Sequence, residues 1–231
     1  KDLDAAIQWM GEADSKGVRW AKRELADLLL ERGTVDDEQK AFELLKDIAG
    51  DGDPGSCGRL ARMYRDGIGT SKDLDAAIQW MGEADSKGVR WAKRELADLL
   101  LERGTVDDEQ KAFELLKDIA GDGDPGSCGR LARMYRDGIG TSKDLDAAIQ
   151  WMGEADSKGV RWAKRELADL LLERGTVDDQ KSAFIMIKEM AESGDLVCCG
   201  LLSRMYREGI GTRKNQSEAM KWEINNSSTR L

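Results

Sequence analysis

"RDGIGTSKDLDAAIQWMGEADSKG" at residues 65–88 recurs letter for letter at residues 136–159. Shifting the chain by 71 residues lays residues 1–108 on residues 72–179 without a mismatch. Beyond Asp179 the copy diverges but keeps its alignment. "EQKAFELLKDIAGDGDPGSCGRLARMYRDGIGTSK" becomes "QKSAFIMIKEMAESGDLVCCGLLSRMYREGIGTRK". A fixed period of this kind marks stacked repeats. Each unit divides again, because Leu25, Leu60 and Leu96 stand 35 and 36 residues apart. A half-unit of that length holds two short antiparallel helices.

The apolar spacing agrees. In "VRWAKRELADLLLERG", Ala92, Leu96, Leu99 and Leu100 fall on one helical face, and Gly104 suits a left-handed cap. In "DLDAAIQWMGEADSKG", Leu74, Ala77, Ile78 and Met81 form a second stripe. Asp73 stands before it as N-cap, and Gly88 closes it. Phe113, Leu116 and Ile119, then Leu131, Ala132 and Tyr135, mark the other two helices of the unit. Isolated helices shorter than about 12–15 residues are marginal in water, so each must bury its stripe on a neighbour.

Composition limits the function. Of 231 residues, 40% are hydrophobic and 35% charged, and no stretch approaches the roughly 20 apolar residues of a membrane span. The net charge of −9 argues against a nucleic-acid partner. There is no histidine, which removes Ser-His-Asp and Cys-His catalysis and every His-containing metal site. Cys57, Cys128 and Cys198 read as equivalent positions in successive copies, about 20 Å apart, beyond the roughly 7 Å reach of a disulfide. Reduced cysteines suit a cytoplasmic setting; the chain opens at Lys1 and reads as a piece of a longer one, so a secreted or periplasmic setting stays open.

Catalytic and ligand motifs are incomplete. "GDGDPGSCG", residues 50–58, lacks the GK[ST] ending of a phosphate loop, and as a calcium loop it has Arg62 where the closing Glu belongs. It reads as a helix–helix turn. "TVDDEQ" supplies carboxylates, but nothing singles out a pair for acid–base work. No catalytic, metal or cofactor-binding residue is assigned, and the chain reads as non-enzymatic.

The pattern Leu60-Ala61-x-x-Tyr64-x-x-Gly67-x-Gly69-x-x-x-Asp73-x-x-x-Ala77-x-x-Trp80-x-x-x-Ala84-x-x-x-Gly88 resembles the Sel-one-like repeat (SLR), a relative of the tetratricopeptide repeat. The half-unit Ala92-x-x-x-Leu96-Ala97-x-x-Leu100, with Gly104, Asp108 and Ala112, resembles it more loosely. The resemblance covers about six and a half repeats. It implies an all-α, right-handed α/α superhelical solenoid of antiparallel helix pairs, with first helices lining a concave face. It also implies a scaffold that binds proteins or peptides, without a shared enzymatic activity. The expected organisation is one solenoid domain over residues 1–225, in units 1–71, 72–142 and 143–213 with a last helix at 214–225, then a tail at 226–231. An accessory region of a larger bacterial enzyme and an engineered array without a native partner are the alternatives. Identical copies fit recent duplication or engineering, and the divergent last unit argues somewhat for a natural array.

Candidate binding residues follow from the first helices. Trp80 and its equivalents read as packing residues, whereas Trp20, Trp91 and Trp162 form a row that could stand exposed as hot spots. Arg23, Arg62, Arg65, Arg94, Arg133, Arg136, Arg165, Arg204 and Arg207 share those helices. They either hold an acidic peptide or carboxylate, or are neutralised in ladders by residues such as Asp66, Asp98 and Glu102. The ladder is the preferred reading. At the start of the chain, Leu3, Ile7 and Met10 are expected to be incompletely covered and to support self-association, end to end if the far end of a neighbour meets them. Ile185, where the first unit has Glu43, either covers the last repeat or meets a partner, with the former preferred.

Overall fold

The computed structural model describes residues 2–228, and the described residues form thirteen α-helices without a strand. They run α1 Leu3–Ser15, α2 Arg19–Arg32, α3 Val35–Gly50, α4 Pro54–Asp66, α5 Leu74–Ser86, α6 Ala92–Arg103 and α7 Val106–Gly121. The second half continues with α8 Pro125–Asp137, α9 Leu145–Ser157, α10 Ala163–Arg174, α11 Val177–Glu192, α12 Leu196–Glu208 and α13 Gln216–Ser228. The even-numbered helices are the first helices of their pairs. The last helix reaches Ser228, three residues past the expected boundary, and residues 229–231 of the expected tail lie outside the described residues.

Helix ends are set by side chains that replace missing backbone partners. The carboxylates of Asp53, Asp73 and Asp124 accept from the N–H groups of Ser56, Ala76 and Ser127 at 2.8, 3.0 and 2.7 Å. Pro54 and Pro125 open their helices, where a missing N–H costs nothing. Gly104, at φ 69°, ends α6 as expected.

The helices gather into two compact units, Lys1–Leu115 and Leu116–Leu231. Within each, consecutive helices pack on one another, from α1 to α5 onto α6 in the first and from α8 to α12 onto α13 in the second, giving α/α-solenoid layers. In the first unit Leu45, Leu60, Ala77 and Met81 are fully enclosed. In the predicted stripes Ala77, Met81, Ala92, Leu99 and Leu100 are buried while Leu74, Ile78 and Leu96 are half-buried, and Ala97 and Met63, which the stripes omit, are buried as well. The Phe42 ring meets the Tyr64 ring edge-on at 5.1 Å and joins α3 to α4.

Identical sequence does not mean identical burial. α5 and α9 each bury an Ala, a Met and a second Ala, whereas α1, with the same thirteen residues, buries none. Leu3 and Ile7 are half-buried, as Leu74 and Ile78 are in α5, and Met10 is half-buried where Met81 is enclosed. Ile185 is 56% exposed and does not cover the last repeat.

The Gly-x-Gly turn after α4 fixes how layers meet. Gly69 has φ 66°, and a Cβ there would collide with the Glu38 carbonyl at the start of α3. Gly211 repeats this against Gln180 in the second unit. Gly69→Ala is therefore expected to lower unfolding stability by at least about 1–3 kcal/mol. Gly82, in mid-helix with open space around its Cα, is the opposite case. Gly82→Ala is expected to add about 0.5–1 kcal/mol. Urea midpoints of the two variants would measure both, and equal signs would contradict the close approach at Gly69.

Candidate functional site

Trp91, at the N-cap of α6, points the tip of its six-membered ring, Cη2 foremost, at Gly58 of α4. Gly58 is buried, and a Cβ on it would overlap the indole. One turn further along α4, the Arg62 guanidinium stacks over the same ring at 4.6 Å. Its Nε donates to Glu95 Oε2 at 2.8 Å while its other arm reaches Glu95 Oε1. This bidentate pair raises the Arg62 pKa. The second unit repeats the joint with Trp162 on Gly129, Arg133 at 4.3 Å from the ring, and Glu166 as the carboxylate.

This geometry gives Trp91 and Trp162 a packing role. Trp91 is half-buried and Trp162 is 39% exposed; Trp20 stands out at 58%. Trp20 borders a groove of about 690 Å³ with Val18, Lys22, Arg23, Gly52 and Pro54.

The arginines are mostly engaged. Arg65 and Arg136 pair with Asp66 and Asp137 at 2.7 Å, and Arg207 with Glu223 at 2.9 Å. Arg23 lies 3.9 Å from Asp53, and Arg204 pairs inside its own helix with Glu208 at 3.4 Å. Arg94 is engaged as well, and Arg165 is exposed. Asp66 pairs with its own neighbour Arg65 on α4 and forms no ladder between helices; Glu95 and Glu166, which the sequence reading did not name, bridge neighbouring first helices instead. Arg59 bridges to Asp27 in the same way. Leu201 occupies the place of Arg59 in the last repeat, and desolvation pushes the carboxyl of Asp169, the counterpart of Asp27, upward.

A second cluster was missed in the sequence. Arg32 donates from Nε and one terminal nitrogen to the buried Asp37 at 2.7 and 2.5 Å, and from the other to Asp4 at 2.6 Å. Thr34 caps α3 and donates its hydroxyl to the same Asp37 carboxylate at 2.7 Å. One arginine thus ties α1, α2 and α3 together. Arg103 with Asp108 and Asp75, and Arg174 with Asp179 and Asp146, do the same. Hydrogen bonds from the arginine and threonine hold the Asp37, Asp108 and Asp179 carboxyls well below the usual range. The visible signal was "RGTVDD", a threonine cap three residues before an Asp, with Arg just ahead.

The cysteines are structural. Cys57, Cys128 and Cys199 each donate to the carbonyl of an alanine eight residues back, at 3.7–3.8 Å. The equivalent of Cys57 is therefore Cys199, not Cys198, which replaces Ser56. All four are buried outside disulfides, and burial pushes the Cys198 thiol up to about 12, so it does not supply a thiolate near neutrality. No group of three or more metal-ligating side chains forms among the described residues. No described helix is long and apolar enough to cross a membrane.

Comparison with known proteins agrees with this architecture. A family model described as Sel1 repeat matches residues 21–49, 54–91, 92–120, 125–160 and 197–222. The fold is similar to that of a protective antigen present in uropathogenic Escherichia coli strains, which displays an SLR fold. The TM-score is 0.68 at 22% identity, over 97% of this chain and 49% of that one. A Sel1 repeat protein from Oxalobacter formigenes is also similar, with TM-score 0.65 at 21% identity, over 89% of this chain and 84% of that one. The chain thus spans about half the length of the first of these.

The three Arg–Asp–Thr clusters carry a pH signature. Their carboxyl pKa values are depressed in the folded state. The stabilisation is complete above the unfolded value of about 3.9 and is lost as pH falls through the folded value. Melting temperatures taken from pH 7 down to pH 2 are expected to fall most steeply below about pH 4. The triple variant Asp37→Asn, Asp108→Asn, Asp179→Asn should melt lower at pH 7 and show a shallower acid slope. Parallel slopes for the two proteins would contradict the assignment.

Proposed function

The chain belongs to the Sel1 repeat family, and on that premise we propose that it is a non-catalytic scaffold that binds another protein or a peptide through its first helices. The observation that carries this is the recurrence of one Trp–Gly–Arg–Glu joint at 71-residue spacing. Each joint leaves its guanidinium accessible, with the Arg62 and Arg133 side chains 45% and 43% exposed. An open, half-exposed joint of this kind in each unit suits a protein or peptide surface better than a small substrate, which needs one enclosed pocket.

We propose further that the partner presents carboxylates. Arginine stacked on an aromatic ring keeps its edge available for bidentate contact, and Arg23, Arg165 and Arg204 have the loosest internal pairing among the candidates. Arg65, Arg136 and Arg207 would join by exchanging their surface carboxylates, since exposed pairs of this kind are worth only about 0–1 kcal/mol.

A panel of acidic peptides and their charge-reversed counterparts tests the reading by fluorescence anisotropy. Acidic peptides are expected to bind, and the pair Arg136→Glu and Arg165→Glu should weaken them about tenfold or more, roughly 1.4 kcal/mol. Equal binding of both panels would remove the acidic partner, and no binding of any peptide or protein ligand would remove the scaffold.

A further inference from the structure

The last repeat departs from the others on one face of its first helix. Val197 stands where the earlier copies have Gly55 and Gly126, and Leu201 where they have Arg59 and Arg130. Both places are open by position. A Cβ on Gly55 or Gly126 would meet no group of a neighbouring helix, its nearest contact being the Asp53 or Asp124 cap at 3.5 Å. The Arg59 side chain is 42% exposed even while it bridges to Asp27 of α2. Val197 is accordingly 57% exposed and Leu201 half-buried. They stand four apart on α12 and form one apolar strip.

Asp169 of α10 loses its partner by the same change. Its counterpart Asp27 is held by Arg59, and Leu201 brings no charge. Asp169 enters no ion pair or hydrogen bond among the described residues. The cations that act on it are Arg165, one turn back on α10, and Arg136 of α8, which is taken by Asp137. Cys198 lies within electrostatic reach of both Arg165 and Asp169, which brings the start of α12 beside this part of α10. Desolvation there raises the Asp169 carboxyl above its ordinary value, a cost that a cation would relieve.

We propose that this face of the last repeat receives an arginine from a partner protein's exposed segment, its methylene stem along Val197 and Leu201 and its guanidinium on Asp169. Long cationic side chains bury their stems on apolar surface and keep the head at a polar site. The head takes the part that Arg59 plays for Asp27 in the first unit. An aliphatic side chain in its place would cover the carboxylate without pairing it, and a lysine would lack the fork that fits two oxygens. This goes beyond the acidic partner proposed above. Arg165 precedes Asp169 by one turn and Arg204 follows Leu201 by one turn, so both remain available to carboxylates on either side of the arginine. The segment that fits is acidic with one arginine among its carboxylates.

Selection of random displayed peptides on the immobilised full chain tests this, run in parallel on wild type, Leu201→Arg and Asp169→Asn. Leu201→Arg restores the residue type found at Arg59 and Arg130, and Asp169→Asn removes the charge at equal size. Helical circular dichroism checks that both variants fold. Wild type should enrich arginine in the selected peptides, and both variants should lose that enrichment. A selected peptide resynthesised with citrulline for its arginine should bind wild type about fivefold more weakly, the upper end for an exposed ion pair. On the two variants the exchange should make no difference. No arginine enrichment on wild type would overturn the proposal. So would enrichment that persists on either variant, or an equal citrulline loss on all three chains. Acidic residues in the selected peptides report on the earlier reading separately. They should be lost on the Arg136→Glu, Arg165→Glu chain, and their absence on wild type would remove the acidic partner while the arginine result still stands or falls by itself.

Discussion

The fold depends on a place where a side chain is missing. α4 meets α6, and α8 meets α10, where Gly58 or Gly129 leaves room for the tip of an indole. The ring fills that room, the arginine one turn on covers it, and a glutamate from the ring's own helix fixes the arginine. Shape excludes other side chains at the glycine, and charge selects the partner helix. Gly69 plays the same part between backbones, where the turn after a first helix must touch the opening of a second helix.

These joints explain why a chain so rich in charge holds together. Much of its ionic surface is spent between neighbouring helices. Arg32 gathers carboxylates from α1 and α3, and Arg59 and Arg62 reach α2 and α6. The pairs at the rim contribute little each, but the buried Asp37 is different, since removing its arginine would strand a carboxylate away from water. Sharing the load among repeated small contacts is the thermodynamics expected when every layer leans mainly on its neighbours.

Much of this was legible in the letters. The period of 71, the alanine and leucine stripes, the Asp73 cap and the glycine turns are local properties, and local properties show in sequence. The role of Trp91 was not local. A row of tryptophans on first helices looks the same whether it faces solvent or a glycine on another helix, and only packing distinguishes the two. Arg32 was hidden for the same reason, because its partners lie five residues ahead in one direction and 28 behind in the other. Cys198 and Cys199 show the cost of pattern without register, since adjacent like residues differ in which one donates to the preceding helix. The fate of Ile185 turned on exposure, which an apolar letter alone does not reveal.

The identity of α5 and α9 has a kinetic consequence. A newly made α4 meets three helices of the same sequence, α1, α5 and α9, and no contact it can form tells them apart. Pairing with any of them gains the same local energy, so the native order is decided by loop closure, at about 0.6 kcal/mol per doubling of the loop. Mispaired layers are then native-like in every local respect and slow to be rejected. The diverged last repeat breaks the degeneracy. The Ser203 hydroxyl on the Ala219 carbonyl belongs to α12 and α13 alone and gives the folding chain one unambiguous end from which to count.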